Sequence, residues 1–293
     1  MTRQLRRRLV RVGFGVVAVA FVGYTLFRTW DEAQGQVLPD PATVGLASLL
    51  LVSSLIGGGL SWHALFGPDA PRRLMADFYL AQLGKYIPGG GIWQAAGQVG
   101  LSAGRELSAT RVSSNLAIHA VILVSAAFSL GGLLVLATDL PGWLRMVCGL
   151  GLAAPLFIHR SWMAYLLHRV GGWLRLDTEQ LVPPRQQVIV RSWLWSFVPI
   201  TGFSAAYGLI VHSLEPGVGI WRGAVSFAMA WAIGFVLVPF PAGLGAREAI
   251  LVALVGGPTA VIVAASLTVR LIAIGGDLVL ASVTRRIWAT RVS

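Results

Sequence analysis

Charge is what this sequence has least of. Only 12% of its 293 residues are Asp, Glu, Lys or Arg, against 56% apolar. A water-soluble domain carries roughly twice that charged fraction, so a soluble globular fold is excluded. Lysine is almost missing: Lys85 stands alone among 23 basic residues. Cysteine is represented once, by Cys148 inside an apolar run, which excludes an intrachain disulfide and a thiolate metal site. The five histidines fall in no ligand spacing with carboxylates, so no metal centre is expected. A nucleotide fingerprint is absent too, because Gly89-Gly90-Gly91 has no preceding strand. With no catalytic constellation and no cofactor motif, the chain reads as a non-enzyme.

What is present is apolar length. Runs at 12–28, 42–66, 112–137, 142–158, 192–213, 222–240 and 246–284 approach or exceed the about 20 residues that a spanning helix requires. The last is divided by Gly256, Gly257 and Pro258. The expectation is an all-α integral membrane protein forming a single transmembrane domain over 1–293. Ala18-Val19-Ala20 fits a cleavage site, but the apolar stretch before it is too short for a signal peptide, so the first run is expected to be an uncleaved helix.

The net charge of +11 does not point to nucleic acid, because the cations lie between apolar runs and not on one basic face. Eighteen of the 23 fall in the N-terminal tail, in 67–111, in 159–191 and after residue 284. The alternate connections carry Asp31, Glu32, Asp40, Asp139 and Glu215. Arginine is retained on the cytoplasmic side, so both termini are expected in the cytoplasm of a bacterial inner membrane, crossed several times. Arg222 lies near the outer surface on this map and is expected to matter little.

Two apolar segments are broken internally. Pro88-Gly89-Gly90-Gly91 interrupts 77–100, and Pro239, Pro241, Gly243 and Gly245 interrupt 222–256. Proline removes a backbone donor and glycine loosens the helix, so each break reads as two half-helices meeting at a turn. Basic flanks on both sides of the first make it a re-entrant hairpin. If both are hairpins, the chain has about six full transmembrane helices plus two re-entrant hairpins. They form an inverted repeat of halves 1–140 and 141–293, and matched breaks in such halves mark transporter sites. The alternative is seven or eight full spans.

The segments KYIPGGGIWQAAGQVGL and PFPAGLGAREAILVALV resemble the lysylphosphatidylglycerol synthase transmembrane family, also called flippase-like proteins. That family carries a K-Y-x-P-G-G segment and later P-x-P-G-G-L-G-x-x-E. Here Pro239 to Glu248 follow the second pattern, with Ala242 in place of its first glycine. The resemblance implies translocation of a lipid between leaflets. Nothing in these 293 residues resembles the soluble aminoacyl transferase to which the best-known members are fused, so it does not imply lysylation. The partners expected are membrane lipids, an anionic phospholipid or a lipid-linked sugar. A lipid-modifying enzyme and a second copy of the chain are left open.

Individual residues sharpen this. Lys85 ends the first half-helix of hairpin one: it either complements the helix dipole or meets a lipid phosphate beside Tyr86 and the free N–H groups of Gly89, Gly90 and Gly91. Gln94, with Gln98, makes a polar stripe behind them. Arg247 opens the second half-helix after Pro241, Gly243 and Gly245. It needs a partner, for which Glu248, Asp277 or a phosphate would serve. Glu248 also caps that helix. Arg270 and Asp277 lie two turns apart on one face, about 10 Å, too far for a direct pair, so each is expected to meet a hairpin. Glu248 and Asp277 are the acids placed to carry a coupling proton. Asn115 and His119 share a face and are expected to bond between helices. His159, Trp162, Tyr165, His168 and Trp173 among arginines read as a helix in the membrane surface.

Two other functions fit parts of the sequence. A scaffold for a lipid-modifying enzyme would explain the helices without transport. Asp31-Glu32 resembles the acidic pair of polyprenyl-dependent glycosyltransferases, although the loops are too short for an acceptor site.

Overall fold

A computed structural model describes residues 39–86, 90–104, 107–173, 181–236 and 243–289. Regular structure among them is entirely helical. The first apolar run, 12–28, lies outside the described residues, as do Pro88, Gly89 and Pro241.

The first helix, α1 (Pro41–Ala64), begins where Asp40 accepts a hydrogen bond from the Thr43 amide and Pro41 supplies a preset φ. A short connection leads to α2 (Arg73–Gln82), which tightens into a 3₁₀ turn over Leu83–Tyr86, and then to α3 (Gly90–Ser102). Ser108 caps α4 (Ala109–Leu134), which runs on as 3₁₀ to Ala137. Next come α5 (Gly142–Gly149), a 3₁₀ stretch Leu150–Ile158 and α6 (Arg160–Trp173). The remainder is α7 (Gln186–Leu214), α8 (Ile220–Val236), α9 (Gly243–Val255) and α10 (Thr259–Ala289).

Among the described residues, α1, α4, α7 and α10 are long and apolar enough to cross a membrane. A fifth is added if 142–158 and α6, bent by 85°, count as one span. The run 142–158 is therefore not the continuous α-helix that its hydropathy predicts. Pro155 sits inside it and cannot donate, and the ladder there is 3₁₀.

The surface and interior are arranged as a lipid solvent demands. Leu49, Leu133, Leu136, Leu150, Leu156 and Val279 are exposed, while Ser54, Ser61, Asn115, His119, Ser192, Ser196 and Asp277 are buried. In hydrocarbon, helices associate through close packing and interhelical hydrogen bonds, not through hiding leucine. The α1–α7 crossing shows this. A Cβ on Gly57 would lie 2.6 Å from Val198 Cγ1, and one on Gly202 would collide with Ser54 Oγ and the Leu50 carbonyl.

Both broken segments fold back on themselves. In the first, Gln94 Nε2 donates to Gln82 Oε1 at 3.1 Å, and a Cβ on Gly84 would lie 2.8 Å from the Gln94 amide nitrogen. In the second, Gly234 of α8 sits beside Arg247 of α9, and Arg222 of α8 reaches the Leu254 carbonyl at the far end of α9. The arms α3 and α9 have 13 residues each, about 20 Å, short of the roughly 30 Å hydrocarbon core. The hairpins share neighbours: α10 touches α2 and α9, and α4 touches α3 and α8. Among the described residues, no arm of one packs broadly on an arm of the other.

Candidate functional site: a buried carboxylate beneath the first hairpin

Asp277 lies well inside α10 and is fully buried. Its neighbour Gly276 packs close to α1: a Cβ there would fall 2.6 Å from Leu55 Cδ1 and displace that side chain. The 3₁₀ turn after α2 then delivers two consecutive side chains to the same oxygen. Lys85 Nζ stands 2.6 Å from Asp277 Oδ2, and the Tyr86 hydroxyl donates to it at 2.7 Å. The ammonium also lies 5.2 Å from the centroid of the Tyr86 ring. Asp277 Oδ1 is buried and accepts no hydrogen bond among the described residues.

An isolated charge at the centre of a membrane costs about 2.5–3.5 kcal/mol on insertion scales, so opposite charges there are paired. The pair is asymmetric, with 29% of the Lys85 side chain exposed and none of Asp277. The cation is the half that can be reached from outside.

Other polar groups lie on the same elements. Tyr79 of α2 donates to the Ile56 carbonyl of α1 at 3.3 Å. Arg270 lies half-buried two turns before Asp277. Gln98 of α3 is buried with Nε2 unpartnered, and one turn on the Ser102 hydroxyl is likewise unpartnered. The glycines that the sequence singled out fall at half-helix starts, where amides lack intrahelical partners: Gly90 and Gly91 open α3, and Gly243 and Gly245 open α9.

Not all of the expected residues assemble here. Asp277 meets hairpin one, through Lys85 and Tyr86. Arg247 packs its guanidinium 4.7 Å from the Phe227 ring centroid on α8, a cation–π contact within hairpin two. The side chain of Glu248 lies outside the described residues.

Asn115 and His119 belong to a separate seam. Asn115 donates to the Leu65 carbonyl at 3.3 Å. His119 Nε2 stands 3.0 Å from Ser61 Oγ, which also meets Ser196 Oγ at 2.7 Å and Ser192 Oγ at 3.2 Å. This ties α1, α4 and α7 together. Sequence reading found the histidine and missed its serines. The signal was there in Ser192 and Ser196, one turn apart in an apolar helix. At the opposite end of α1, Asp40 accepts from Ser213 Oγ at 2.8 Å. The Thr43 and Ser213 bonds hold its carboxyl down to about 2.

Compared with protein-family models and with curated proteins, the chain matches none.

Proposed function

We propose that this protein moves a phosphate-bearing lipid, a phospholipid or a lipid-linked sugar, between the leaflets of a bacterial inner membrane. In this reading six full spans and two re-entrant hairpins form inverted halves, with both termini cytoplasmic. The headgroup passes the hairpin turns while the acyl chains stay in lipid. The observation that carries the proposal is the Lys85–Asp277–Tyr86 cluster, a charged pair at a helix break inside an apolar bundle. Ionisable groups at such depth mark substrate or ion pathways, and irregular backbone there lines a wet cavity or is buried in protein.

The chemistry suits a phosphate. Lys85 supplies a reachable cation, the amides at the start of α3 and α9 supply anion-binding donors, and Gln94, Arg247 and Arg270 extend the polar track. Lipid exchange is slow because the headgroup must cross hydrocarbon, and a track of fixed donors lowers that barrier. The full chain in liposomes with tail-labelled phosphatidylglycerol, assayed by dithionite bleaching of the outer leaflet, tests the reading. Wild type should expose the inner-leaflet label within minutes, and Lys85→Ala should not. Equally fast exposure by the two proteins would exclude the headgroup track, and no exposure by wild type would leave a scaffold as the better reading.

A further inference from the structure

We propose that the protein is a proton–lipid symporter in which Asp277 is the proton carrier and Lys85 is handed from Asp277 to the lipid phosphate. The inference rests on the lipid-translocation reading and names its coupling.

The geometry sets the order of events. Lys85 Nζ, 2.6 Å from Asp277 Oδ2, is committed to the carboxylate. An anion competing for Lys85 must leave Asp277 as a buried, uncompensated charge, which opposes the exchange. A proton on Asp277 removes that penalty. The carboxyl has a place for it: Oδ1 is buried and accepts no hydrogen bond among the described residues, while Oδ2 can keep the bond from the Tyr86 hydroxyl after the lysine leaves. The neutral acid then stays anchored on α10 as the ammonium turns to the phosphate. Lys85 can make that turn because its side chain is partly exposed and lies at the end of the hairpin arm, whereas Asp277 is fixed in a long helix.

Charge balances through the exchange. Before it, ammonium and carboxylate cancel. After it, ammonium and phosphate monoanion cancel and the acid is neutral. One proton and one anion have been taken up together, and no net charge has moved. Proton and lipid therefore occupy the protein simultaneously, which makes the coupling symport and the transport electroneutral.

The groups that act on Asp277 are few. Lys85 and Tyr86 come from the first hairpin, and Arg270 lies two turns before the carboxylate on α10 itself. From α1, this stretch of α10 meets the apolar side chains of Leu55 and Val52 at Gly276. The lysine is the one cation in direct contact with the carboxylate among the described residues.

The test uses the full chain in liposomes carrying a trace of tail-labelled phosphatidylglycerol, with the exterior one pH unit more acidic than the lumen. Wild type should enrich the probe in the inner leaflet about tenfold, the ratio that one proton per lipid sets. A potassium diffusion potential should leave that ratio unchanged. Asp277→Asn mimics the protonated acid and should abolish the enrichment under the gradient. Asp277→Glu should restore enrichment and guards against a folding defect in the amide variant. Wild type that translocates the probe without enrichment would overturn the coupling and leave translocation standing. Enrichment that persists in Asp277→Asn would assign the proton to another group. No movement of phosphatidylglycerol or of a polyprenyl phosphate probe by wild type would overturn the translocation reading and the coupling together.

Discussion

Arg222, in the first turn of α8, donates from Nε to the Leu254 carbonyl in the last turn of α9, 3.2 Å away. The carbonyls there are orphaned because the helix stops at Gly256, whose φ of +66° is the left-handed conformation that glycine adopts freely. The guanidinium packs directly against that glycine. Sequence position alone makes Arg222 a peripheral cation of no consequence, and the structure makes it the tie at the open end of the second hairpin.

Removing it should therefore destabilise the fold. Arg222→Ala leaves the α9 terminus without its charged donor, at about 1–2 kcal/mol for a partly exposed bond of this kind. The expected readout is a lowered Tm in detergent, partly recovered by Arg222→Lys. An unchanged Tm would mean that water caps α9 equally well.

Ser61 and His119 should be energetically coupled. They meet at 3.0 Å where α1, α4 and α7 converge. Interhelical hydrogen bonds in membrane proteins are worth about 0.6 kcal/mol on average and reach roughly 1.7. A double-mutant cycle of Ser61→Ala and His119→Ala, followed by unfolding in mixed micelles, should give a coupling energy inside that range. Strict additivity would show that the serine and histidine act independently.

Substitution at Gly202 should separate α1 from α7. Gly202→Val would drive a side chain into Ser54 and the Leu50 carbonyl, an overpacking that costs about 1–3 kcal/mol or more. Gly45→Ala is the control: nothing lies within 4 Å of its added carbon. The first should reduce yield and Tm, and the second should leave both unchanged.

How much of this was legible beforehand differs by feature. The spanning helices were, because lipid demands long apolar runs and α1, α4, α7 and α10 supply them. The folded-back segments were, because Pro88 and Pro241 with their glycines cannot continue a helix. The turn into α6 was, because the aromatic and arginine residues from His159 to Trp173 read as a surface helix, but the 3₁₀ form of 150–158 was not: hydropathy averages over 142–158 and does not register Pro155. The site was half legible. Lys85 and Asp277 each stand out as intramembrane charges. Their contact with each other spans 192 positions, and no local pattern encodes it. Arg247 had three candidate partners in the sequence, and the Phe227 ring that the structure adds to them was missed because an aromatic ring is a partner that charge counting overlooks.

The orientation of the protein in the membrane is open to direct chemical test. The structure groups the termini of several helices without reference to any membrane. Asp40 and Ser213 bond to each other, so the start of α1 and the end of α7 share one end of the bundle, where Glu215 and Pro216 also lie. At the other end, Arg111 Nη2 reaches the Phe66 carbonyl at 3.4 Å, and the Arg160 amide meets Gln186 Oε1 at 2.7 Å. That end therefore collects Arg72, Arg73, Arg111, Arg160, Arg185 and Arg191, while the opposite end carries acids. Arginine-rich connections stay in the cytoplasm. Single cysteines at Asp69 and Pro216, both exposed, would report on the two ends in a Cys148→Ser background. In intact cells a membrane-impermeant maleimide should modify Pro216→Cys and spare Asp69→Cys, and lysis should render both reactive. Modification of Asp69→Cys from outside would invert the map. The acidic ends would then face the cytoplasm, and a proton gradient coupled through Asp277 would drive lipid the opposite way relative to the protein's own axis.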